Sequence, residues 1–215
     1  MSIERCSWLL PLLFAASPAA ALELVMRDVH LALETLPTDF DFTYTSAGNS
    51  TRSGEDAFDS GFALSGGGRW SLAPRGSRLA GVATLDAVVG NYVYDGSGIN
   101  VTTGGRLGLG LGCALSDRWI ILAGASAEYG LATFELPQSA ATGAIAVDGD
   151  YLGYGANLDG FFAVGERWWL QAGVGWRSLS YQLSGDGRAI DIDAAGVVFS
   201  VGAVFRYGIA PRRLE

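Results

Sequence analysis

Residues 99–115 read INVTTGGRLGLGLGCAL, and alternate positions in this segment differ in chemistry. The odd positions are mostly large and apolar, as at Leu107 and Leu109, and the even positions include Gly108 and Gly110. Because successive side chains of a β-strand point to opposite faces, the pattern predicts a strand with one apolar face and one face of tiny or polar residues. Glycine weakens a strand, so alternating glycines indicate a face with no room for bulk. The interior of a narrow β-barrel is such a face.

The composition supports one membrane-embedded domain. The 215-residue chain has 17% charged residues and 31 glycines, which is unusual for a soluble globular protein. No run of about eighteen apolar residues occurs in the body of the chain, which excludes spanning helices. The net charge of −8 argues against a nucleic-acid partner, since nucleic-acid binding needs a basic surface.

The N-terminal residues resemble a targeting segment. An apolar run over residues 8–16 follows Arg5 and precedes the small residues SPAAA at 17–21. This arrangement predicts a secretory signal peptide over residues 1–21, cleaved after Ala21, with a barrel domain over residues 22–215. Cys113 is then the only cysteine of the mature chain, which excludes an internal disulfide.

Period-two alternation recurs along the mature chain. It predicts strands over residues 57–72, 78–94, 99–115, 119–134, 151–164, 168–183 and 190–207.

A first strand is expected over residues 29–47, with Leu33 opposite about Gly68 and Phe40 opposite about Gly61. The residues of this strand expected to face lipid are Val29, Leu31, Leu33, Phe40, Phe42 and Tyr44. Because the two halves of this set differ in parity, a bulge near Pro37 is needed. The alternative is an amphipathic helix over residues 24–36 before a shorter strand. Either choice gives eight strands, with both chain ends on the same side.

The connections between strands alternate in length. Residues 74–76, 116–118 and 165–167 form tight turns, whereas residues 48–56 and 138–150 are longer and polar, with shorter loops at 95–98 and 184–188. Bacterial outer-membrane barrels have short periplasmic turns and longer external loops, so we expect the tight turns in the periplasm. Four tryptophans near these turns predict a periplasmic aromatic girdle: Trp70, Trp119, Trp168 and Trp169. The candidates for the opposite girdle are Tyr92, Tyr94, Phe134, Tyr151 and Tyr181.

The pattern resembles the small bacterial outer-membrane β-barrel superfamily of OmpA-like, OmpX-like and opacity-type proteins. The resemblance rests on the signal peptide, the eight alternating strands and a final strand, GVVFSVGAVFRYG, that ends in aromatic residues. It implies an all-β, eight-stranded antiparallel up-and-down transmembrane β-barrel in the outer membrane. It further implies contact with outer-membrane lipid and lipopolysaccharide, and insertion by a barrel-assembly machinery that reads the final strand. Here Tyr207 is followed by a short tail, whereas the family usually ends in an aromatic residue.

An eight-stranded barrel is just wide enough for side chains to fill its interior. The charged residues expected to face inward are Asp59, Arg69, Asp86, Arg106, Glu128, Asp159, Arg177 and Arg206. A turn centred on Asp117 places Arg106 opposite Glu128. We therefore expect these two to form a cross-strand ion pair, with Asp86, Asp159 and Arg177 close enough to join a network, because buried charge must be paired. The network can serve as a polar core or as a narrow proton or ion path.

No catalytic, metal-binding or cofactor motif is found in the sequence. His30, the only histidine, is expected to face inward with Glu34, and Ser126 lies two residues from Glu128 without an evident base. Acidic residues of the longer loops are expected to be solvated rather than to bind calcium: Glu55, Asp56, Asp95, Asp148, Asp150 and Asp186.

The leading hypothesis is a non-enzymatic barrel with a structural or surface-interaction role, whose loops contact any partner. The alternatives are a narrow channel or small-molecule conduit, and a lipid-modifying enzyme.

Overall fold

A computed structural model describes residues 22–46, 48, 50–74, 76–94, 98–136 and 145–207. This part of the chain forms ten β-strands: β1 (Leu22–Thr35), β2 (Asp39–Thr45), β3 (Thr51–Ala57), β4 (Ser60–Pro74), β5 (Leu79–Tyr94), β6 (Gly98–Ala114), β7 (Trp119–Leu136), β8 (Ile145–Ala163), β9 (Trp168–Gly185) and β10 (Arg188–Arg206). No helix in these ranges is long and apolar enough to cross a membrane. The predicted signal peptide and the tail after Tyr207 lie outside the described residues.

Eight of these strands close into a ring of antiparallel pairs. Strands β4 to β9 each pair with the next strand in the chain, and β1 pairs with both β4 and β10. At the closure, Leu33 of β1 lies between Leu64 of β4 and Val201 of β10. The predicted all-β, antiparallel up-and-down fold is confirmed. Strands β2 and β3 form a hairpin that projects from this ring. Strand β2 pairs with residues 189–194, the N-terminal part of β10.

Most strand limits lie close to those predicted, because strong alternation marks where each strand begins and ends. Strand β6, predicted over residues 99–115, spans Gly98–Ala114. The turns at 115–118 and 164–167 are short, as expected, and each is closed by a backbone hydrogen bond to the tryptophan that follows. Gly76 has a φ of 77° in the turn between β4 and β5, a conformation that favours glycine. The end of the barrel that carries these turns is called the tight-turn end.

The first hairpin is extended as predicted, but its faces and register differ. Residues 36–38 separate β1 from β2, and no helix forms over residues 24–36. Parity is unchanged across this break, so Phe40 is buried and Phe42 and Tyr44 pack against the inner core instead of facing lipid. Leu33 pairs with Leu64 rather than Gly68, and Phe40 pairs with Asp56 rather than Gly61.

In the described residues, the opposite end, called the hairpin end, is built mainly of projecting strands. Residues 51–56 of the predicted loop over 48–56 lie in β3, and β8 begins at Ile145 within the predicted loop over 138–150. Strands β9 and β10 are joined by Asp186 and Gly187, which have φ values of 52° and 72°. This is the left-handed conformation of a tight two-residue hairpin turn. The predicted loop residues 95–97 and 138–144 lie outside the described residues. The loops predicted over 48–56 and 184–188 are shorter than expected, because most of their residues lie in β3, β9 or β10.

The outer face of the ring is apolar. Large side chains from every strand of the ring are exposed on it, among them Leu31, Leu64, Leu85, Leu109, Leu131, Leu158, Leu170 and Val201. A belt of this kind would be exposed to water in a soluble protein, whereas it matches the hydrocarbon region of a membrane.

Candidate functional site in the barrel lumen

The side chains inside the barrel form three layers. An upper aromatic layer at the hairpin end contains Leu36, Phe40, Phe58, Val88, Tyr92, Phe134, Tyr151, Leu179, Tyr181, Leu183, Ile190 and Ile192. A lower apolar layer at the tight-turn end contains Val82, Leu122, Phe161, Trp169 and Val204. The polar layer between them contains His30, Glu34, Ser65, Asp86, Arg106, Glu128, Asp159 and Arg177.

Glu34 is the centre of the ion-pair network in the polar layer. Arg106 lies directly opposite Glu128, and its Nε is 2.9 Å from Glu128 Oε2. Arg106 Nη1 is 2.8 Å from Glu34 Oε1, and Arg177 Nη2 is 2.5 Å from Glu34 Oε2. Ser65 also donates to Glu34, at 2.6 Å. One carboxylate thus joins two guanidinium groups from distant strands.

The sequence pattern predicts that Glu34 faces inward but does not predict its place in the network. Its partners Arg106 and Arg177 are 72 and 143 residues away in the chain. Only the ring closure brings β1 beside β10 and so near β9. The available signal was the even parity that Glu34 shares with Asp28, His30 and Ala32 along β1.

Asp86 and Asp159 have partners of their own. Asp86 Oδ1 is 3.1 Å from His30 Nε2. Asp159 accepts hydrogen bonds from Asn157, from Gln171 at 3.2 Å and from Ser200 at 3.4 Å. Neither carboxylate joins the Glu34 network through any bond among the described residues. Asp59, expected to face inward, is exposed because it lies between β3 and β4, outside both strands.

A cavity of about 100 Å³ lies within the polar layer. Gly108 and Gly110 of β6 line it. A Cβ on Gly110 would come 2.5 Å from the carbonyl oxygen of Ala123 in β7, so the wall has no room for a side chain at this position. Side-chain nitrogens of Arg69, Arg106 and Arg177 are buried without a hydrogen-bond partner in the described part of the chain. A polar cavity of this size can hold several water molecules that would satisfy such groups.

The lower layer combines apolar rings with two arginines. Arg69 Nε is 3.0 Å from Asp28 Oδ1, and the Arg69 guanidinium lies 4.2 Å from the centre of the Phe161 ring. Arg206 stacks on Trp169 at 3.6 Å from the ring centre. Attraction between a cation and an aromatic face offsets part of the desolvation cost of burying the charge.

Trp169 therefore does not belong to the predicted outer girdle, where it was placed with three other tryptophans. Trp169 is 5% exposed, whereas Trp70, Trp119 and Trp168 are 39%, 49% and 55% exposed on the outer face. Trp168 and Trp169 are consecutive in β9, and consecutive residues of a strand point to opposite faces.

The upper layer contains the aromatic residues predicted for the opposite girdle. Tyr92, Phe134, Tyr151 and Tyr181 are buried in the lumen, and the partly buried Tyr94 packs against them. Ring centres of Tyr151 and Phe134 each lie 5.4 Å from that of Tyr181. The Tyr181 hydroxyl donates to Tyr92 at 3.1 Å, and the Tyr151 hydroxyl donates to Glu128 at 2.6 Å. These rings close the lumen above the charges.

The chemistry within the lumen is limited. His30 has a carboxylate partner in Asp86, but Ser126 makes no hydrogen bond to His30 among the described residues. No group of three or more potential metal ligands occurs in the part of the chain that the structure describes.

Comparison with known proteins identifies the fold. No protein-family model and no curated protein sequence matches the chain. The outer-membrane protein OprG from Pseudomonas aeruginosa aligns with 87% of this chain and 98% of its own, at 12% identity and a TM-score of 0.54. The outer-membrane protease OmpT from Escherichia coli aligns with 89% and 100% at 9% identity and a TM-score of 0.47, and Neisserial surface protein A with 83% and 97% at 11% and 0.45. The closed ring, its apolar outer belt and the match to OprG together show that this chain has the fold of the small bacterial outer-membrane β-barrel proteins.

Proposed function

We propose that the protein is a closed, non-conducting outer-membrane barrel with a structural or surface-interaction role. The observation that carries this proposal is that the upper aromatic layer closes the lumen above the polar layer. Below the polar layer, the rings of Phe161 and Trp169 cover the guanidinium groups of Arg69 and Arg206. Ions cross a membrane only along a continuous polar path. The charges of the polar layer then act as a buried core that holds the strands in place.

The upper layer is the stronger of the two seals. Phe58 and Tyr92 stack with ring centres 4.3 Å apart, and Phe134 lies within 6.4 Å of Tyr92. These side chains come from the β3–β4 connection, β5 and β7, and Ile190 and Ile192 complete the layer from β10. Because the rings come from several sides of the barrel, no one side chain can open the lumen by rotating.

The hairpin end is the part proposed to face the cell exterior. The first and last strand residues that the structure describes, Leu22 and Arg206, both lie at the tight-turn end, as in barrels with periplasmic termini. We further propose that residues 1–21 direct export and that a barrel-assembly machinery inserts the chain. The exposed apolar belt would then contact outer-membrane lipid and lipopolysaccharide.

A lipid-modifying activity is disfavoured by the position of His30. Its side chain lies in the polar layer, paired with Asp86, and the upper and lower layers separate it from both ends of the lumen. A lipid outside the barrel has no route to this imidazole. A change in lipid A or phospholipid on expression, lost in His30→Ala, would reverse this interpretation.

The test combines folding and conductance. Protein refolded in detergent should migrate differently on gels before and after boiling, as a closed barrel does, and it should be electrically silent in planar bilayers. The double variant Tyr92→Ala/Trp169→Ala removes one ring from each seal and should produce measurable conductance. Its matched control, Tyr154→Ala/Trp168→Ala, removes the same residue types from the outer face, where both are more than half exposed, and should stay silent. Steady single-channel conductance of the unmodified protein, altered in Arg106→Met, would contradict the proposal and favour a channel.

A further inference from the structure

Among the described strands, β3 has one unpaired edge, which lies at the hairpin end. It pairs with β2 on one side, and no described strand pairs with it on the other. After β3 the chain enters β4, whose partners are β1 and β5. Six of the seven residues of β3 are exposed, and Gly54 is half-buried against the Phe42 ring. An exposed edge presents free backbone N–H and C=O groups that can pair with another strand.

The sequence of β3, TRSGEDA, is complementary to itself in one antiparallel register. Two copies that pair in this way are related by a twofold axis perpendicular to the sheet, which maps each face of the sheet onto itself. Residues directly opposite each other lie on the same face, so both have even numbers or both have odd numbers. Centring the axis on Gly54 places Arg52 opposite Asp56 of a second copy, twice. It also places the Ser53 hydroxyl opposite the Glu55 carboxylate, twice.

The neighbouring registers lack this complementarity. Centring on Glu55 would oppose that carboxylate to its own copy, and like charges directly opposite are destabilising. Centring on Ser53 would place Arg52 opposite Gly54, without an ionic partner. The Gly54 register alone pairs every charged residue of β3 with an opposite charge or a hydroxyl donor.

The charges concerned are available for a second copy. Arg52 is exposed and makes no ion pair within the described part of the chain. Asp56 accepts hydrogen bonds from Tyr94 at 2.6 Å and from the backbone of Ala57 at 2.8 Å. Because each carboxylate oxygen has two lone pairs, Asp56 can still accept from a guanidinium.

Glu55 is held against other carboxylates on the outer face of the hairpin. It lies directly opposite Asp41 of β2, and Asp41 lies opposite Asp193 of β10. The Ser53 hydroxyl of a second copy would donate to Glu55 and so reduce the repulsion among these three neighbouring carboxylates.

We propose that β3 is a docking edge for the β3 strand of a second copy of this protein, in the register centred on Gly54. The β2–β3 hairpin continues the barrel wall, so antiparallel pairing of two β3 strands makes the two barrel axes antiparallel. The contact therefore joins molecules in two facing membranes rather than neighbours in one membrane. This inference rests on the proposed function only in placing the hairpin end outside the cell.

Charge reversal tests the register. Association is measured by sedimentation equilibrium in dodecyl maltoside, and by turbidity of phosphatidylcholine vesicles that carry the refolded protein. Arg52→Asp or Asp56→Arg turns two attractions into two repulsions and should weaken association by about a hundredfold, about tenfold per pair. The double variant Arg52→Asp/Asp56→Arg restores opposite charges in the same register and should dimerise again.

Two controls separate this effect from others. Tyr94→Phe removes the hydrogen bond to Asp56 and should cluster vesicles as the unmodified protein does. Arg118→Asp makes the same charge change in an exposed turn at the tight-turn end and should also have no effect. Gel mobility before and after boiling confirms that each variant is folded.

The outcomes decide the proposal independently of the proposed function. A monomeric unmodified protein, single reversals that still associate, or a double reversal that stays monomeric would each overturn the docking edge, while a silent bilayer would leave the closed barrel standing. Dimers in detergent without vesicle clustering would overturn the facing-membrane geometry. Dimers and clustering that follow the charge pattern would support both parts.

Discussion

The inner and outer faces of the barrel wall differ most plainly at two consecutive residues of β6. Arg106 is 7% exposed and contacts two carboxylates in the lumen. Leu107, the next residue, is 64% exposed on the outer belt. The usual rule of apolar residues inside and charged residues outside is thus reversed over a single peptide unit. The reversal follows from the solvent, because the outer face contacts hydrocarbon and the inner face contacts other side chains.

The two faces are stabilised by different interactions. On the inside, charges avoid the cost of desolvation only because each has partners, so loss of one partner leaves another charge buried and uncompensated. On the outside, stability depends on keeping polar groups out of the lipid. At neighbouring positions of one strand, the barrel should therefore be destabilised by loss of a charge on the inner face and by gain of a charge on the outer face.

The largest expected effect is the loss of Arg106. Arg106→Met preserves most of the side-chain volume but leaves Glu128 without its guanidinium and Glu34 with Arg177 alone. Removing one partner of a buried ion pair costs about 3–5 kcal/mol, and we expect that loss in the free energy of unfolding. The measurement is a urea titration of protein refolded in vesicles, followed by tryptophan fluorescence.

The control for this prediction is Arg118→Met, in the exposed turn between β6 and β7. It should change the free energy of unfolding by no more than about 0.5 kcal/mol. Equal effects at Arg106 and Arg118 would show that the lumen network does not stabilise the barrel.

The next largest effect is a charge on the outer face. Leu107→Arg places a guanidinium near the middle of β6 on the lipid side, which should cost about 2–4 kcal/mol in vesicles. Leu115→Arg makes the same change at an exposed position in the tight turn, where the cost should be about 0–1 kcal/mol. Equal costs in urea titrations at the two depths would mean that the outer belt does not lie in the membrane.

The smallest effect is at Tyr151, whose hydroxyl links the upper aromatic layer to Glu128. Tyr151→Phe removes a hydrogen bond to a buried carboxylate and should cost about 1–2 kcal/mol. Tyr154, also in β8 but 58% exposed on the outer face, provides the matched control, since Tyr154→Phe removes no hydrogen bond seen among the described residues. If both variants unfold at the same urea concentration, the hydrogen bond from Tyr151 to Glu128 does not couple the upper aromatic layer to the polar layer.

Much of the fold could be predicted because alternation is a local property. The side-chain pattern of residues 99–115 predicts a strand whichever strand lies beside it, and β6 spans Gly98–Ala114. Register was predictable where the connection was short: the turn centred on Asp117 placed Arg106 opposite Glu128, as observed. Register failed at the first hairpin, because residues 51–57 are polar enough to resemble a loop yet pair fully with β2.

The aromatic residues were harder to place. Tyr92, Phe134 and Tyr181 suit either a membrane girdle or a packed lumen, because each has a large apolar ring and tyrosine also has a polar tip. For Trp169, strand parity alone favoured the lumen, since Trp168 takes the outer face, but proximity to a tight turn suggested the girdle. Parity proved the better guide.

The sequence by itself determined most strands of the ring and most of their inner and outer faces, because these follow from the period-two geometry of an extended chain. Only the tertiary structure decided which inward side chains meet. Glu34 and Arg177 are 143 residues apart and become neighbours when β1 joins β10, and the aromatic rings form a seal only when strands from several sides of the barrel converge. Contacts across the lumen depend on the shear and closure of the whole ring, which no local pattern specifies.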